Sequence, residues 1–434
     1  VPHHDPFGDL IAPFSRRGVD LGLGRLQRAL AELGHPERRF AAVQVAGTNG
    51  KGSISTMLER IATAAGIRCG LYTSPHLLSW CERIRLPSGP ITEVALRRQL
   101  EALQGLGQRH DLTPFELITA AGFVAFAEAG VELAVLEVGL GGRLDATTTH
   151  PDRSVLAIGS IGMDHTEHLG PTLAAIAAEK AGVFSRGAIA VSGAQDPAVA
   201  RVLERQAATH GTELRWVAPL APEAEGGPVL GLRGDLQRHN AAVAVGAAQA
   251  LAERGWPIDG AAIRRGLAEA RWPGRLERRS VRGRPLLVDG AHNPPAAVAL
   301  RQELDGAGRA AAGPAPGEGG STRAPDPRRW LIGIQRHKDA PALLRTLLRP
   351  GDAVRVVALP EHRSWSAAEL GEALEAAGPD PGRSPESWSG PAPVLEAGSG
   401  SLEGDLAWLA DSTALPVVAG SLYLVAAVLP LLDP

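Results

Sequence analysis

Residues 45–53 read Val45-Ala-Gly-Thr-Asn-Gly-Lys-Gly-Ser53. They follow an apolar run, Phe40–Ala46, and precede a stretch with Ile54, Leu58, Ile61 and Ala65 at helical spacing. The order is strand, glycine-rich turn, helix. The glycines let backbone N–H groups converge on a phosphate chain, and the helix N-terminus adds positive dipole. Lys51 has the length to meet terminal phosphates, and the Ser53 hydroxyl suits positioning of magnesium. The pattern predicts a nucleoside triphosphate site over Gly47, Thr48, Asn49, Gly50, Lys51, Gly52 and Ser53. Gly52 departs from the usual spacing of such loops by separating Lys51 from Ser53.

The rest of the chain suits an enzyme around that loop. At 434 residues it is long enough for two domains. A net charge of −3 and 4% aromatic residues argue against a nucleic-acid or anionic-membrane partner. Two cysteines, Cys69 and Cys81, build neither a disulfide framework nor a zinc motif, which fits a reducing, cytoplasmic setting. Val1–Leu10 lacks the basic-then-apolar pattern of a leader, and the absence of Met at position 1 suggests processing or a trimmed chain. The apolar run Leu415–Leu432 contains Pro416, Gly420, Ser421 and Pro430, so it reads as a strand turning into a packed helix, not as a membrane span.

Strands are expected at Ala41–Ala46, Leu133–Val138 and Val155–Ile161. Helices are expected at Ser53–Ala65, Glu93–Leu106, Glu116–Ala129, Thr172–Ala181 and Asn240–Glu253. This alternation predicts a doubly wound, mostly parallel sheet. A second, Rossmann-like α/β series follows, with strands at Leu286–Val288, Trp330–Ile334, Val354–Leu359 and Leu415–Ala419. The boundary is set in Trp272–Leu276, giving domains 1–274 and 275–434. The Gly-, Ala- and Pro-rich residues 306–328 read as a flexible loop within the second.

Several segments carry chemistry. Glu137 closes a buried strand, where an acid suits Mg²⁺ beside a phosphate loop or a structural ion pair. Gly139-Leu-Gly-Gly-Arg-Leu-Asp-Ala146 offers close backbone approach, or simply a turn. In Ser160-Ile-Gly-Met-Asp-His-Thr-Glu-His168, His165 is a candidate ligand, though Mg²⁺ prefers oxygen and a solvated loop is the plainer alternative. Lys180 in Glu179-Lys-Ala-Gly182 reads locally as a favourable charge at a helix C-terminus. Asp289-Gly-Ala-His-Asn-Pro294 suits hydroxyl or amine recognition, or a turn held by Asp289 and Asn293.

Together with Leu71-Tyr-Thr-Ser-Pro-His-Leu77, Glu82-Arg-Ile84, Gln237-Arg-His-Asn-Ala-Ala242, Trp272-Pro-Gly-Arg275 and Gly420-Ser-Leu-Tyr423, these segments resemble the folylpolyglutamate synthase and dihydrofolate synthase family. That family is the folate branch of the Mur-type ATP-dependent amide ligases. The resemblance implies addition of L-glutamate to dihydropteroate and to reduced folates through an acyl phosphate. It implies a Mur-ligase-type N-terminal domain, ATP and two Mg²⁺ ions. Ser74, Glu137, His165 and Lys180 would be the metal ligands, Lys180 as a carbamate, with Lys51, Lys180 and His165 serving catalysis. Asn240, Arg275, Asp289 and His292 would meet the nucleotide, the middle two from the domain junction, with closure about Trp272–Leu276. Asp20, Leu21, Gly22, Leu23, Arg83, Thr113, Pro114, Phe115, Glu116, Leu144, Asp145 and Ala146 would face the pterin substrate. Phe115 suits stacking on the pterin ring.

The chain departs from the family pattern at His239, at Thr148 and ahead of Lys338-Asp339. A cell-wall Mur ligase or a phosphate-loop switch are the alternatives. Nothing demands an oligomer, so a monomer is expected.

Overall fold

The computed structural model describes residues 6–312, 327–360, 362–376, 393–413 and 415–433. The chain divides into two compact units, Val1–Leu232 with Leu236–Trp272, and Arg233–Asp235 with Pro273–Pro434.

In the first unit, eight strands form one sheet. They are β1 (Ala41–Ala46), β2 (Cys69–Tyr72), β3 (Ile84–Leu86), β4 (Gly89–Pro90), β5 (Leu133–Glu137), β6 (Val155–Ile158), β7 (Ile189–Gly193) and β8 (Glu213–Val217). The order is β4-β3-β2-β5-β1-β6-β7-β8. From β2 to β8 the pairing is parallel; β3 and β4 add an antiparallel edge. β1 is sandwiched. Val43 and Val45 pack with Ile54, Leu58 and Ile61 of the helix Lys51–Ala64, while Ala42 joins Phe40, Phe123 and Phe126 on the other face. Burial on both faces is why β1, β5 and β6 read as near-continuous apolar runs.

The second unit holds β9 (Glu277–Val281), β10 (Arg284–Val288), β11 (Arg329–Ile332), β12 (Ala353–Val356), β13 (Val394–Ala397) and β14 (Val417–Ala419), ordered β13-β12-β11-β14-β10-β9. Among the described strands of this unit, only β9 runs antiparallel to its neighbour. Its core gathers Leu287, Leu300, Trp330, Ile332, Leu344 and Val354.

Some expectations need correction. β10 is not the first strand of the second unit; the charged edge strand β9 precedes it, and its Glu-Arg-Arg sequence hid it. The loop expected over 306–328 fails at its start, because the alanine-rich sequence sustains the helix Pro294–Ala312. Residues 313–326 lie outside the described residues. β6 ends at Ile158, not Ile161, because Ser160 turns to bridge Asn49. After β14, Gly420 and Ser421 turn the chain into the helix Leu422–Val428, and no described helix is long and apolar enough to cross a membrane.

Candidate active site

Parallel pairing sets the carboxyl ends of β2, β5, β1 and β6 side by side, with Val45 beside Glu137 and Ala46 beside Ile158. The glycine-rich loop leaves β1 at that edge. Thr48 N and Asn49 N donate to Ser160 O at 2.8 and 3.1 Å, and Thr48 Oγ1 lies 3.1 Å from both Gly162 N and Gly162 O. The Ser160 segment therefore splints the loop. Gly50 begins the following helix in the left-handed region (φ 82°), and a Cβ there would sit 2.3 Å from Asn240 Oδ1. The N-cap residue, Gly50, has no side chain to cap that helix, which leaves its first amides suited to an anion. Lys51 Nζ donates to Thr48 O at 3.0 Å.

Lys180 departs from its local reading. It is in the last turn of the helix Leu173–Ala181, yet it is 4% exposed and its Nζ donates to Gly47 O at 2.8 Å. The ammonium thus serves the phosphate loop and not its own helix end. Burial pushes its pKa down to about 7; the neighbouring Lys51 charge adds to the shift, and Asp164 and Asp145 oppose it. Glu137 is buried, and Ser74 N donates to its Oε2 at 3.2 Å, bringing Ser74 to the acid. His165 adopts φ 50° at the head of the turn Thr166–Leu169. Its Nε2 is 3.9 Å from Asp164 Oδ2 and its Nδ1 3.8 Å from Glu167 Oε1.

Among the described residues, no three of His, Cys, Asp and Glu converge as a ready-made metal nest. The Ser74 hydroxyl and the buried Glu137 carboxylate are hard oxygen donors and fit Mg²⁺. Lys180 fits a cation only after losing its positive charge.

A third group surrounds Phe115. Thr113 and Glu116 form a reciprocal capping box at the helix Pro114–Glu128, which aims Phe115 at Gly139, where a Cβ would lie 2.5 Å from the ring. Phe115 also meets Tyr72 edge-on at 6.1 Å. Asp145 is 2% exposed. Its Oδ2 accepts from Gly139 N and Leu140 N at 3.0 Å each, and its Oδ1 from Thr147 N and Thr147 Oγ1 at 3.0 and 2.6 Å. All its lone pairs are engaged, so this carboxylate organises the Gly139–Ala146 loop. Arg83 Nε donates to His76 Nδ1 at 2.8 Å, and its guanidinium lies 4.3 Å over Trp80.

In the second unit, Asp289 accepts from Leu276 N at 2.9 Å and Ala291 N at 2.8 Å, the turn-holding alternative. His292 Nδ1 is 2.8 Å from Gly290 O, and a Cβ at Gly290 would lie 3.0 Å from Arg275 Nη1.

Three participants escaped sequence reasoning. Gln44, fully buried, donates to Thr147 Oγ1 and Thr148 Oγ1 at 2.8 and 2.9 Å, and its Oε1 accepts from Arg153. This accounts for threonine at 148. A glutamine inside an apolar strand was the available signal. Gln195 ties Gly159 O and Ile161 N, supporting the splint. Arg25 joins Asp20 to Glu116.

The Mur ligase middle domain model matches residues 45–216, and the Dihydrofolate synthetase, C-terminal domain model matches residues 275–375. The chain is 37% identical over 299 residues to a folylpolyglutamate synthase of Lacticaseibacillus casei, covering 62% of this chain and 69% of that one. E. coli FolC in complex with DHPP and ADP superposes with TM-score 0.79 at 29% identity, covering 99% of this chain and 98% of that one. A bifunctional folylpolyglutamate synthase/dihydrofolate synthase from Yersinia pestis, complexed with AMPPNP and Mn ion, gives TM-score 0.78 at 29% identity, covering 99% and 98%.

Proposed function

The chain belongs to the folylpolyglutamate synthase and dihydrofolate synthase family of ATP-dependent ligases, and we propose that it attaches L-glutamate both to dihydropteroate and to the glutamate tail of reduced folates. The match of its C-terminal part to a dihydrofolate synthetase domain favours this over a cell-wall ligase.

In the proposed reaction, a substrate carboxylate oxygen attacks the γ-phosphorus of ATP, and ADP leaves. The glutamate amine then attacks the acyl phosphate carbonyl; phosphate leaves and the amine gives up a proton. A bare carboxylate has no adequate leaving group, and phosphorylation supplies one. The protein's part is positioning and charge. The loop amides and Lys51 hold the phosphates. Phe115 offers a stacking face, with Arg83, Asp20–Leu23, Thr113–Glu116 and Leu144–Ala146 around the pterin substrate. Asn240, Arg275, Asp289 and His292 are the proposed nucleotide contacts. Ser74, Glu137, His165 and a carbamylated Lys180 would hold two divalent ions, which when bound screen the phosphate oxygens.

The observation that carries this reading is Lys180 buried with its Nζ on the phosphate-loop carbonyl of Gly47. Carbamylation requires a neutral amine: the nitrogen lone pair attacks the carbon of CO₂, and a proton passes to solvent. The lowered pKa supports that state near neutral pH. The experiment is glutamate-dependent ADP release with ATP and Mg²⁺, run separately with dihydropteroate and with tetrahydrofolate. Turnover with both is expected. Turnover with one assigns the chain to that step alone, and turnover with neither refutes the folate function. Sedimentation of the active enzyme as a single chain is expected.

A further inference from the structure

Arg25 draws two separate stretches of chain together. It is the second residue of the helix Gly24–Glu32, whose start has no side-chain cap. Its Nη1 donates to Asp20 Oδ2 at 2.9 Å and its Nη2 to Asp20 O at 2.6 Å. Its Nε lies 3.2 and 3.1 Å from the two oxygens of Glu116. The Arg25 side chain is 17% exposed and that of Glu116 4%, so solvent screens the Glu116 pair far less than a surface ion pair.

Glu116 is already committed, because its Oε2 also accepts Thr113 N at 2.8 Å in the capping box. That box sets the first turn of the helix carrying Phe115, whose carbonyl Thr119 Oγ1 anchors at 2.7 Å. One guanidinium therefore clips the Asp20–Leu23 loop to the turn that presents the aromatic face. A planar fork spreads its donors over three nitrogens and so reaches both sides at once; an ammonium, with all three donors on one nitrogen, lacks that span.

We infer that Arg25 is a positioning residue for recognition of the pterin-bearing substrate, fixing the spacing between the Asp20–Leu23 loop and Phe115. This rests on the function proposed above. Arg25 does not touch the phosphate loop, so its loss acts on one substrate selectively. A merely structural role would lower thermal stability and affect all substrates alike.

The test measures KM for dihydropteroate, ATP and glutamate, together with kcat and Tm, for wild type, Arg25→Ala and Arg25→Lys. For Arg25→Ala, KM for dihydropteroate is expected to rise 10-fold or more, with KM for ATP within twofold of wild type. Arg25→Lys should lie between, with a rise of at least threefold, and it decides the matter if the alanine variant fails to fold. A dihydropteroate KM within twofold of wild type, or equal losses for ATP and dihydropteroate, would overturn the inference. Absence of pterin-dependent turnover in the wild type would instead sink the function on which it rests.

Discussion

Gly52→Ala is a substitution that secondary-structure propensity favours and the fold opposes. Gly52 lies in the first turn of the helix Lys51–Ala64 with no left-handed backbone to protect, and alanine is better than glycine within a helix by about 1 kcal/mol. Yet a Cβ at this position would stand 2.7 Å from Cε2 and Cζ2 of Trp272 and 2.8 Å from its Nε1. Carbon atoms rest at about 3.5–4.0 Å, so ring or helix must retreat by roughly 1 Å. Trp272 is packed against the core under β1, so it resists. Overpacking of this kind costs about 1–3 kcal/mol, which outweighs the propensity gain.

Displacement of the helix start also moves the amides and Lys51 that meet the phosphates. A misplacement of about 1 Å costs on the order of 100-fold in rate. The assay is ATP affinity by titration, with kcat and Tm, for Gly52→Ala, Trp272→Leu and the double variant. ATP affinity should fall at least 10-fold in Gly52→Ala and recover partly in the double variant, because a smaller side chain at 272 makes room. Non-additivity of that sign is the signature of a shared contact. Wild-type ATP affinity and stability in Gly52→Ala would refute the steric reasoning, as would a double variant no better than the single.

Lys180→Ala should lose at least 100-fold in turnover, with partial rescue by a short carboxylic acid; full activity without rescue would remove the carbamate. In CO₂-free buffer, stability should rise with pH from about 7 towards the ordinary lysine value of about 10.4, because the folded chain sheds the Lys180 proton first while the unfolded chain keeps it. Denaturant titrations of wild type against Lys180→Met across that window check the slope, which the variant should flatten. Glu137→Ala should shift the Mg²⁺ dependence of turnover upward and lower kcat; an unchanged metal titration counts against Glu137 as a ligand. Gln44→Leu should cost about 1–3 kcal/mol, read by chemical denaturation, because it strips partners from Thr147, Thr148 and Arg153 in a buried network. A loss below half that range would mean that the network readily repairs itself.

The sequence disclosed what burial writes into it. β1, β5 and β6 are covered on both faces and so are almost wholly apolar, Gln44 and Glu137 excepted, and the loop after β1 announces itself through its glycines. Edge strands carry no such mark. β9 shows three charged residues in a row, and β8 alternates weakly, with Trp216 exposed, so neither was legible. Side-chain roles divided along the same line. The position of Glu137 followed from the strand it ends, whereas Asp145 was expected to face substrate, and the four hydrogen bonds it accepts from its own loop and Thr147 could not be read from local sequence. Arg25 acts across a separation of 91 residues, and nothing local marks it.

Lys180 shows why tertiary placement decides chemistry that local sequence leaves open. An exposed lysine at a helix end would be almost wholly charged at pH 7, with only about 0.04% neutral, whereas a pKa near 7 leaves about half of it neutral. Two lysines converge on neighbouring carbonyls, Lys51 on Thr48 and Lys180 on Gly47. Keeping both as ammonium ions in one partly desolvated corner is costly, and it is Lys180, the more deeply buried, that yields. In the carbamate proposed above, proton loss followed by CO₂ uptake would take the charge at that point from +1 through 0 to −1. In that form the point would instead hold a buried anion, unfavourable unless a cation accompanied it. On the proposed reading, the lowered pKa makes the amine available to CO₂, and a divalent cation is what would offset the charge so created.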